Sequence, residues 1–267
     1  MTPRYVVLEK AIGQTPLEAI QAWKAREGIE ASVKASYAGR LDPMASGKLL
    51  VLLGEECKRQ GQYIGLDKEY EVEVLFGVGS DTGDVLGLVT PGPEEVNHEL
   101  LAKTLKGERG THLRQYPSFS SKTVDGIPLF LHSLSDTEVE IPKHPETIYQ
   151  IELCSVTSIE RAALQSRIES LLAKTPMSTD PRKVLGADFR IEAVRESWNT
   201  YFTHAPQSTV IARIRVTAGS GTYMRSLATR LGEATGSSAL ALSIHRTRIG
   251  RYRSLPFGYG AWTRQYK

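Results

Sequence analysis

Apolar and polar residues follow two rhythms along this chain, one of period two and one near 3.6, so the pattern predicts both strands and helices. Residues 4 to 9 read as a short apolar strand. Thr15-Pro16-Leu17-Glu18 then carries a capping-box pattern with proline at the first helical position. Leu17, Ile20 and Trp23 give that helix its expected inner face, and Gly28 ends it. The unbroken apolar run from 49 to 53 predicts a buried strand. Tyr70, Val72, Val74 and Phe76 alternate with Glu69, Glu71 and Glu73, which predicts a half-buried antiparallel strand with Tyr70 facing inward. Residues 97 to 105 have helical spacing, while 107 to 131 are rich in turn and basic residues and suit a mobile loop over a binding face. Residues 148 to 153 and 210 to 216 read as strands, the second alternating Val210, Ala212, Ile214 and Val216 against Arg213 and Arg215. A helix is expected from about Thr222 to Glu233.

Strands mixed with helices, without regular βαβ alternation, predict an α+β fold on a central mixed, mostly antiparallel sheet flanked by helices. The chain has 267 residues, 40% hydrophobic and 24% charged, the balance of a globular protein long enough for a sizeable core. No apolar run approaches the roughly 20 residues of a membrane span, and the first residues lack a signal-peptide core, so a cytoplasmic protein is expected. Cys57 and Cys154 stand in unrelated segments without metal-ligand spacing, which argues for buried thiols rather than a zinc site or a disulfide.

The net charge of +3 is small, but it is unevenly spread. From Arg225 to the end there are eight Lys/Arg against one acid, Glu233, and Lys103, Lys106, Arg109, Arg114 and Lys122 face only Glu108. Tyr116, Phe119, Tyr252 and Phe257 interleave with these cations, a combination that suits phosphate contacts plus base stacking.

One segment concentrates the chemistry. In Tyr37-Ala38-Gly39-Arg40-Leu41-Asp42-Pro43-Met44-Ala45-Ser46-Gly47, proline holds the preceding Asp42 extended, and the flanking glycines permit turns that larger residues would strain. By itself this is an ordinary turn; the company it keeps is more specific. Lys10-Ala11-Ile12-Gly13-Gln14-Thr15-Pro16 precedes it, and Lys68-Glu69-Tyr70 and Gly79-Ser80-Asp81-Thr82-Gly83-Asp84 follow. Then come Gln115-Tyr116-Pro117-Ser118-Phe119-Ser120-Ser121-Lys122 and Gly221-Thr222-Tyr223-Met224-Arg225-Ser226-Leu227, with Ile244-His245-Arg246-Thr247 behind. In this order the fragments resemble the TruB family of pseudouridine synthases, which convert uridine 55 of the tRNA T-arm to its C-glycoside isomer.

The resemblance implies the pseudouridine-synthase fold with a catalytic cleft, a tRNA T-arm as partner, and no cofactor, metal or nucleotide. Asp42 matches the family's catalytic aspartate. Arg225, in the first turn of its helix, would meet the positive end of the helix dipole at a cost of about 0.3–1 kcal/mol, so it needs an anionic partner, and the resemblance favours Asp42. Tyr70 would stack on the flipped uracil and offer its hydroxyl for proton transfer. Tyr223 and Ile244 match a polar contact and an apolar wall of the uracil pocket. Lys10 and Gly13 match a segment supporting the active-site loop and RNA, and Lys122 an RNA-binding stretch. Tyr37 stands where the family usually has a histidine that helps displace the base; its ring retains stacking but not the imidazole hydrogen bonds. Ala11 replaces a proline and His245 an arginine.

Two further departures concern organisation. Residues 156 to 207 exceed the family's short passage between strands and predict an added helix over 159 to 174, with Ile159, Leu164, Ile168 and Leu171 on one side, then a polar connection around 176 to 181. The chain ends soon after Tyr252 to Phe257, so a single catalytic domain without a C-terminal PUA-type domain is expected, working as a monomer. Two other readings remain open on the residues alone. One is a protein that binds structured RNA or aids tRNA folding without modifying it. The other is a metal-dependent phosphohydrolase using Asp81 and Asp84.

Overall fold

The computed structural model describes residues 3–175, 190–255 and 260–267. The connection expected around 176 to 181, and Phe257, lie outside the described residues. β1 (Tyr5–Lys10) leads into α1 (Pro16–Arg26), and β2 (Ala35–Ala38) is followed by β3 (Ser46–Leu53). The capping box of α1 is formed in full, with Thr15 Oγ1 accepting from the Glu18 amide and Glu18 from the Thr15 amide, a device worth about 1 kcal/mol. The inner face differs from the expected one. Pro16, Ala19, Ile20 and Trp23 are buried against β1 and β3, and Leu17 is exposed, because the 16-19-20-23 stripe is the one turned towards the sheet.

A single turn, α2 (Gly61–Ile64), precedes the ten-residue β4 (Asp67–Phe76). β5 (Val78–Ser80) and β6 (Val89–Pro91) pair beyond the 81–88 turn, and α3 (His98–Gly107) follows. Residues 107 to 131 are not the open loop expected from their composition. They contain β7 (Gly110–Gln115), a small hairpin of β8 (Thr123–Val124) and β9 (Ile127–Pro128), and the start of α4 (Leu129–Leu134). β7 is an edge strand exposed along most of its length, so its polar composition hid a ladder that is sheet on one side and solvent on the other.

β10 (Lys143–Glu160) is much longer than the predicted 148 to 153, and α5 (Arg161–Lys174) and α6 (Ile191–His204) separate it from β11 (Ser208–Ala218). α7 (Met224–Ala234), β12 (Ala239–Ser254) and β13 (Gly260–Gln265) complete the described chain. Nine described strands form one sheet in the order β1-β3-β12-β4-β11-β10-β7, with β2 added on β3 and β13 on β12. All pairs are antiparallel except β12 with β3, so the sheet is mixed and mostly antiparallel, as expected. Among the described residues no helix is long and apolar enough to cross a membrane.

The main core lies between this sheet and α3, α5, α6 and α7, and it includes the helices of the added segment. Leu164, Ile168, Val194 and Trp198 are almost wholly buried there, and the Trp198 indole donates to the Val85 carbonyl at 3.0 Å. Truncating such a tryptophan costs about 3–5 kcal/mol, so the helical pair is part of the folding unit and not an appendage.

The parallel β3–β12 contact is what places the Asp42 loop. His245 and Arg246 stand opposite Ser46 and Gly47, and Gly47 has φ of +103°. A β-carbon at Gly47 would come within 2.4 Å of the Arg246 carbonyl oxygen, so only glycine lets the two strands meet there. Gly28 also has positive φ, +64°, but nothing lies within 4 Å of a β-carbon built on it. Gly28→Ala is therefore expected to lower the unfolding free energy by about 1 kcal/mol, and Gly47→Ala by about 3 kcal/mol or more, measured by denaturant titration. Equal losses at the two sites would contradict the steric role of Gly47.

Candidate active site

The loop from 39 to 47 is held from below and open above. Leu41, Met44 and Ala45 are buried in the main core, while Asp42 and Pro43 between them remain half-exposed. A turn closes with the Ala45 amide donating to the Asp42 carbonyl at 3.0 Å, and the Gly13 amide donates to the Pro43 carbonyl at 2.9 Å. Apolar anchors on both sides of Asp42 thus present a carboxylate that is 37% exposed.

Arg225, in the first turn of α7, meets that carboxylate. Its Nε lies 2.9 Å from Asp42 Oδ2 and 3.6 Å from Asp84 Oδ2, and the guanidinium is almost completely buried. Its other nitrogens are used as well: Nη1 donates to the Thr82 carbonyl at 2.7 Å and Nη2 to the Phe119 carbonyl at 3.0 Å. Burial works against the charge on Arg225, but Asp42 and Asp84 outweigh it and hold its pKa above the ordinary value. Asp84 is the deeper carboxylate. Burial pushes its pKa up, against Arg225 and the hydrogen bonds from Thr82 Oγ1 at 2.7 Å and the Leu86 amide at 2.9 Å. The arginine therefore has one buried acid that fixes it and one exposed acid that faces outward.

Tyr223, immediately before α7, forms one wall. Burial first, then the neighbouring Tyr116 and Asp42, push its hydroxyl up to about 12, with Arg225 opposing, so the phenol is a proton donor at neutral pH. Its backbone amide donates to buried Glu146 at 3.2 Å, and its ring stands edge-on to Tyr116 and His144, centroids 6.1 and 5.8 Å away. Tyr116 stacks on His144 at 3.8 Å, and exposed Lys122 sits over the Tyr116 ring at 5.3 Å. Lys122 thus belongs to a cationic, aromatic rim. Tyr70 is half-buried on β4, packed against the main core, with Arg246 and Val216 as its strand neighbours. Ile244 is buried in the same core, opposite Val72 on β12.

With this geometry described, the comparisons decide the family. Residues 26–170 match the model of the TruB family pseudouridylate synthase, N-terminal domain. The chain belongs to the TruB family. It is 27% identical over 254 residues to a protein of Bordetella avium named tRNA pseudouridine synthase B, covering 92% of this chain and 81% of that one. It is 32% identical over 193 residues to the protein of that name from Azoarcus sp., covering 72% and 63%, and 29% identical to that from Aromatoleum aromaticum, covering 92% and 63%. The chain therefore spans less than two thirds of the length of some of these relatives. Among solved structures, a Cbf5-Nop10-Gar1 complex matches with a TM-score of 0.54 at 20% identity, covering 92% of this chain and 48% of the other, which supports the pseudouridine-synthase fold.

Against the TruB motifs, the structure brings Asp42, Arg225 and Tyr223 together, buries Lys10, and leaves Tyr37 partly exposed. Lys10 is completely buried, its ammonium donating to the Ala11 and Gln14 carbonyls at 2.9 and 2.8 Å. It supports the loop from beneath, since a buried ammonium must spend its donors on nearby carbonyls. Tyr37 packs its ring against the small core of α1, β1 and β3. The apolar face of β2 claims the ring there.

Three contributors escaped the sequence. Arg246 is fully buried beneath the loop and donates to the carbonyls of Lys48 at 2.6 Å, Arg40 at 3.2 Å and Gly39 at 3.3 Å. Lys68 is buried close to Gly39, donating to the Ile64 carbonyl at 3.0 Å. Asp84, a metal ligand in the phosphohydrolase reading, has its carboxylate committed to Arg225, Thr82 and Leu86. Among the described residues no cluster of three His, Cys, Asp or Glu has metal-binding geometry. A line of burial in otherwise charged positions is the only signal that marks these residues, and it is visible only once the strands are paired. Two hollows, one beside β1 and α1 and one between α5 and α6, are not lined by Asp42, Arg225 or Tyr223.

The buried lysines make stability depend on pH. Burial, with Arg246 adding, pulls Lys68 down from 10.5 to about 7, and burial pulls Lys10 down to about 8 against the attraction of Asp42. Between those values and 10.5 each lysine binds fewer protons in the folded chain than in the unfolded one, so both contribute stability that rises with pH across that window. In Lys68→Met the unfolding free energy should rise less steeply from pH 7 to 10, as measured by denaturant titration at each pH. An unchanged slope would show that Lys68 keeps its charge throughout.

Proposed function

We propose that this chain isomerises uridine to pseudouridine in tRNA, at uridine 55 of the T-loop, with Asp42 as the catalytic carboxylate. The observation that carries the reading is a half-exposed carboxylate held 2.9 Å from a buried guanidinium, in a member of the TruB family. A protein that only bound RNA would gain nothing from an acid facing a polyanion. The reaction needs no oxidant, reductant or energy source. The bond from ribose C1′ to uracil N1 breaks, the base turns, C1′ joins C5, and the hydrogen lost from C5 is matched by the one gained at N1. The nucleotide must first leave the RNA stack, which exposes it to the side chains around Asp42.

In this scheme Asp42 acts on the nucleoside as nucleophile or base, and Arg225 pairs with it and holds it oriented as RNA closes over the site and removes water. Tyr70 stacks on the detached uracil and its hydroxyl serves proton transfer. Tyr223, protonated at neutral pH, gives a polar contact, and Ile244 contributes apolar backing. Lys122 and Tyr116 at the rim meet the phosphate backbone and a base face of the T-arm. A single catalytic domain working as a cytoplasmic monomer fits the integrated core of the described chain.

The test is an incubation of the purified protein with an unmodified T-arm transcript, without added metal or nucleotide, followed by chemical measurement of pseudouridine. Asp42→Asn is expected to lower product formation by about 10³-fold or more while RNA still binds. Arg225→Lys should reduce kcat by about 10²-fold and change the RNA Kd by less than about threefold, because it keeps the charge but loses the fixed geometry. Binding of the transcript without any pseudouridine from the wild-type chain would favour the tRNA-folding role instead.

A further inference from the structure

The Arg225 guanidinium is held by two backbone carbonyls that belong to unrelated segments, Thr82 in the turn after β5 and Phe119 in the stretch after β7. A second arginine joins those two segments from outside. Arg190, immediately before α6, places Nη1 2.8 Å from Asp81 Oδ2 and lays its guanidinium 4.7 Å from the centre of the Phe119 ring. Asp81 is itself a closing element of the turn: its Oδ1 accepts from the Leu88 amide at 2.8 Å, and its own amide donates to the Leu88 carbonyl at 3.2 Å. Asp84, the buried partner of Arg225, lies within that same turn.

The backbone of Arg190 adds an independent observation. Its φ of 52° lies in the left-handed region, which a β-carbon disfavours. Residues kept there are over-determined by what surrounds them, and the ion pair and the ring contact are among the determinants of this one. The segment that supplies Arg190 also reaches the other side of the site. The last carbonyl of α5, on Lys174, packs so closely on Gly13 that a β-carbon there would lie 1.9 Å away, and Gly13 holds the Pro43 carbonyl of the Asp42 loop.

We infer that Arg190 is a positioning residue: it clamps the Asp81 turn to Phe119 and thereby fixes the two carbonyls that aim Arg225 at Asp42. The added helical pair is then part of the catalytic support of this chain. The kinetic consequence rests on the function proposed above, whereas the structural consequence does not. Arg190 reaches the Arg225–Asp42 pair through Asp81 and Phe119, the segments whose carbonyls hold Arg225, so its loss should alter geometry more than RNA affinity. A planar guanidinium serves both contacts at once, pairing at its edge and stacking with its face, which a lysine ammonium reproduces only in part.

The experiment uses the full chain with Arg190→Gln, Arg190→Lys and Asp81→Asn, after thermal unfolding confirms that each folds. The first readout needs no activity: hydrogen exchange of the Arg225 Nε–H, followed by nitrogen-15 NMR, should accelerate by roughly tenfold in Arg190→Gln and less in Arg190→Lys. The second is turnover on the T-arm transcript, where kcat should fall by roughly tenfold with KM within about twofold, and Arg190→Lys should recover part of the loss. Asp81→Asn should reproduce the Arg190→Gln effect, and the double variant should be no worse than either single one. Unchanged Arg225 exchange would overturn the inference whether or not the wild type is active. A rise in KM with unchanged kcat would also overturn it, making Arg190 an RNA contact. Absence of pseudouridine from the wild type, with exchange accelerated in the variant, would count against the proposed function and leave the clamp supported.

Discussion

The structure turns on the burial of one guanidinium. Arg225 sits almost out of water at the wrong end of a helix dipole, a position costly on two counts unless every donor is met. Two carboxylates and two carbonyls meet it, and they come from three separate parts of the chain: the Asp42 loop, the turn holding Thr82 and Asp84, and the stretch after β7. A buried charge with four partners tolerates little displacement of any of them. That intolerance converts separate loops into one site.

The same logic repeats one layer down. Arg246 is buried beneath the Asp42 loop and binds two of its carbonyls and that of Lys48 in β3, and Lys10 binds two carbonyls of the neighbouring turn. Neither cation faces solvent, so their charges do not serve to attract a polyanion. They rigidify the backbone that carries Asp42, and for Lys10 a pKa lowered by burial is the cost of that rigidity. Exposed cations such as Lys122 stand instead at the rim, beside stacked rings. A basic residue in this protein therefore does one of two jobs, decided by depth.

α5 and α6 show how a helical pair between two sheet strands is absorbed. α5 and α6 bring Leu164, Ile168, Val194 and Trp198 into the main core, so their burial contributes to the same cooperative unit as the sheet. Once docked, their ends fall beside Gly13 and Asp81, the two turns that border the site. Docking by apolar contacts and steering by polar ends is a general way for extra chain to acquire a role near an existing site.

Period-two alternation in β4 and β11, the capping box of α1, and the apolar run of β3 were legible without coordinates, because each is a local rule that neighbouring residues satisfy by themselves. The ordered motifs likewise marked Asp42 and Arg225 and the family that owns them. β7 stayed hidden since an exposed edge strand has no apolar face to announce it, and Leu17 was misplaced because two helical stripes competed and only the sheet could choose. The depth of Lys10, Lys68, Asp84 and Arg246 was likewise invisible, for a charged letter reads the same at the surface and in the core. Residue identity determined which chemistry was present; strand pairing between segments some 200 residues apart, such as Gly47 with Arg246, decided which charges lost their water and so which carboxylate beside Arg225 stayed open to solvent.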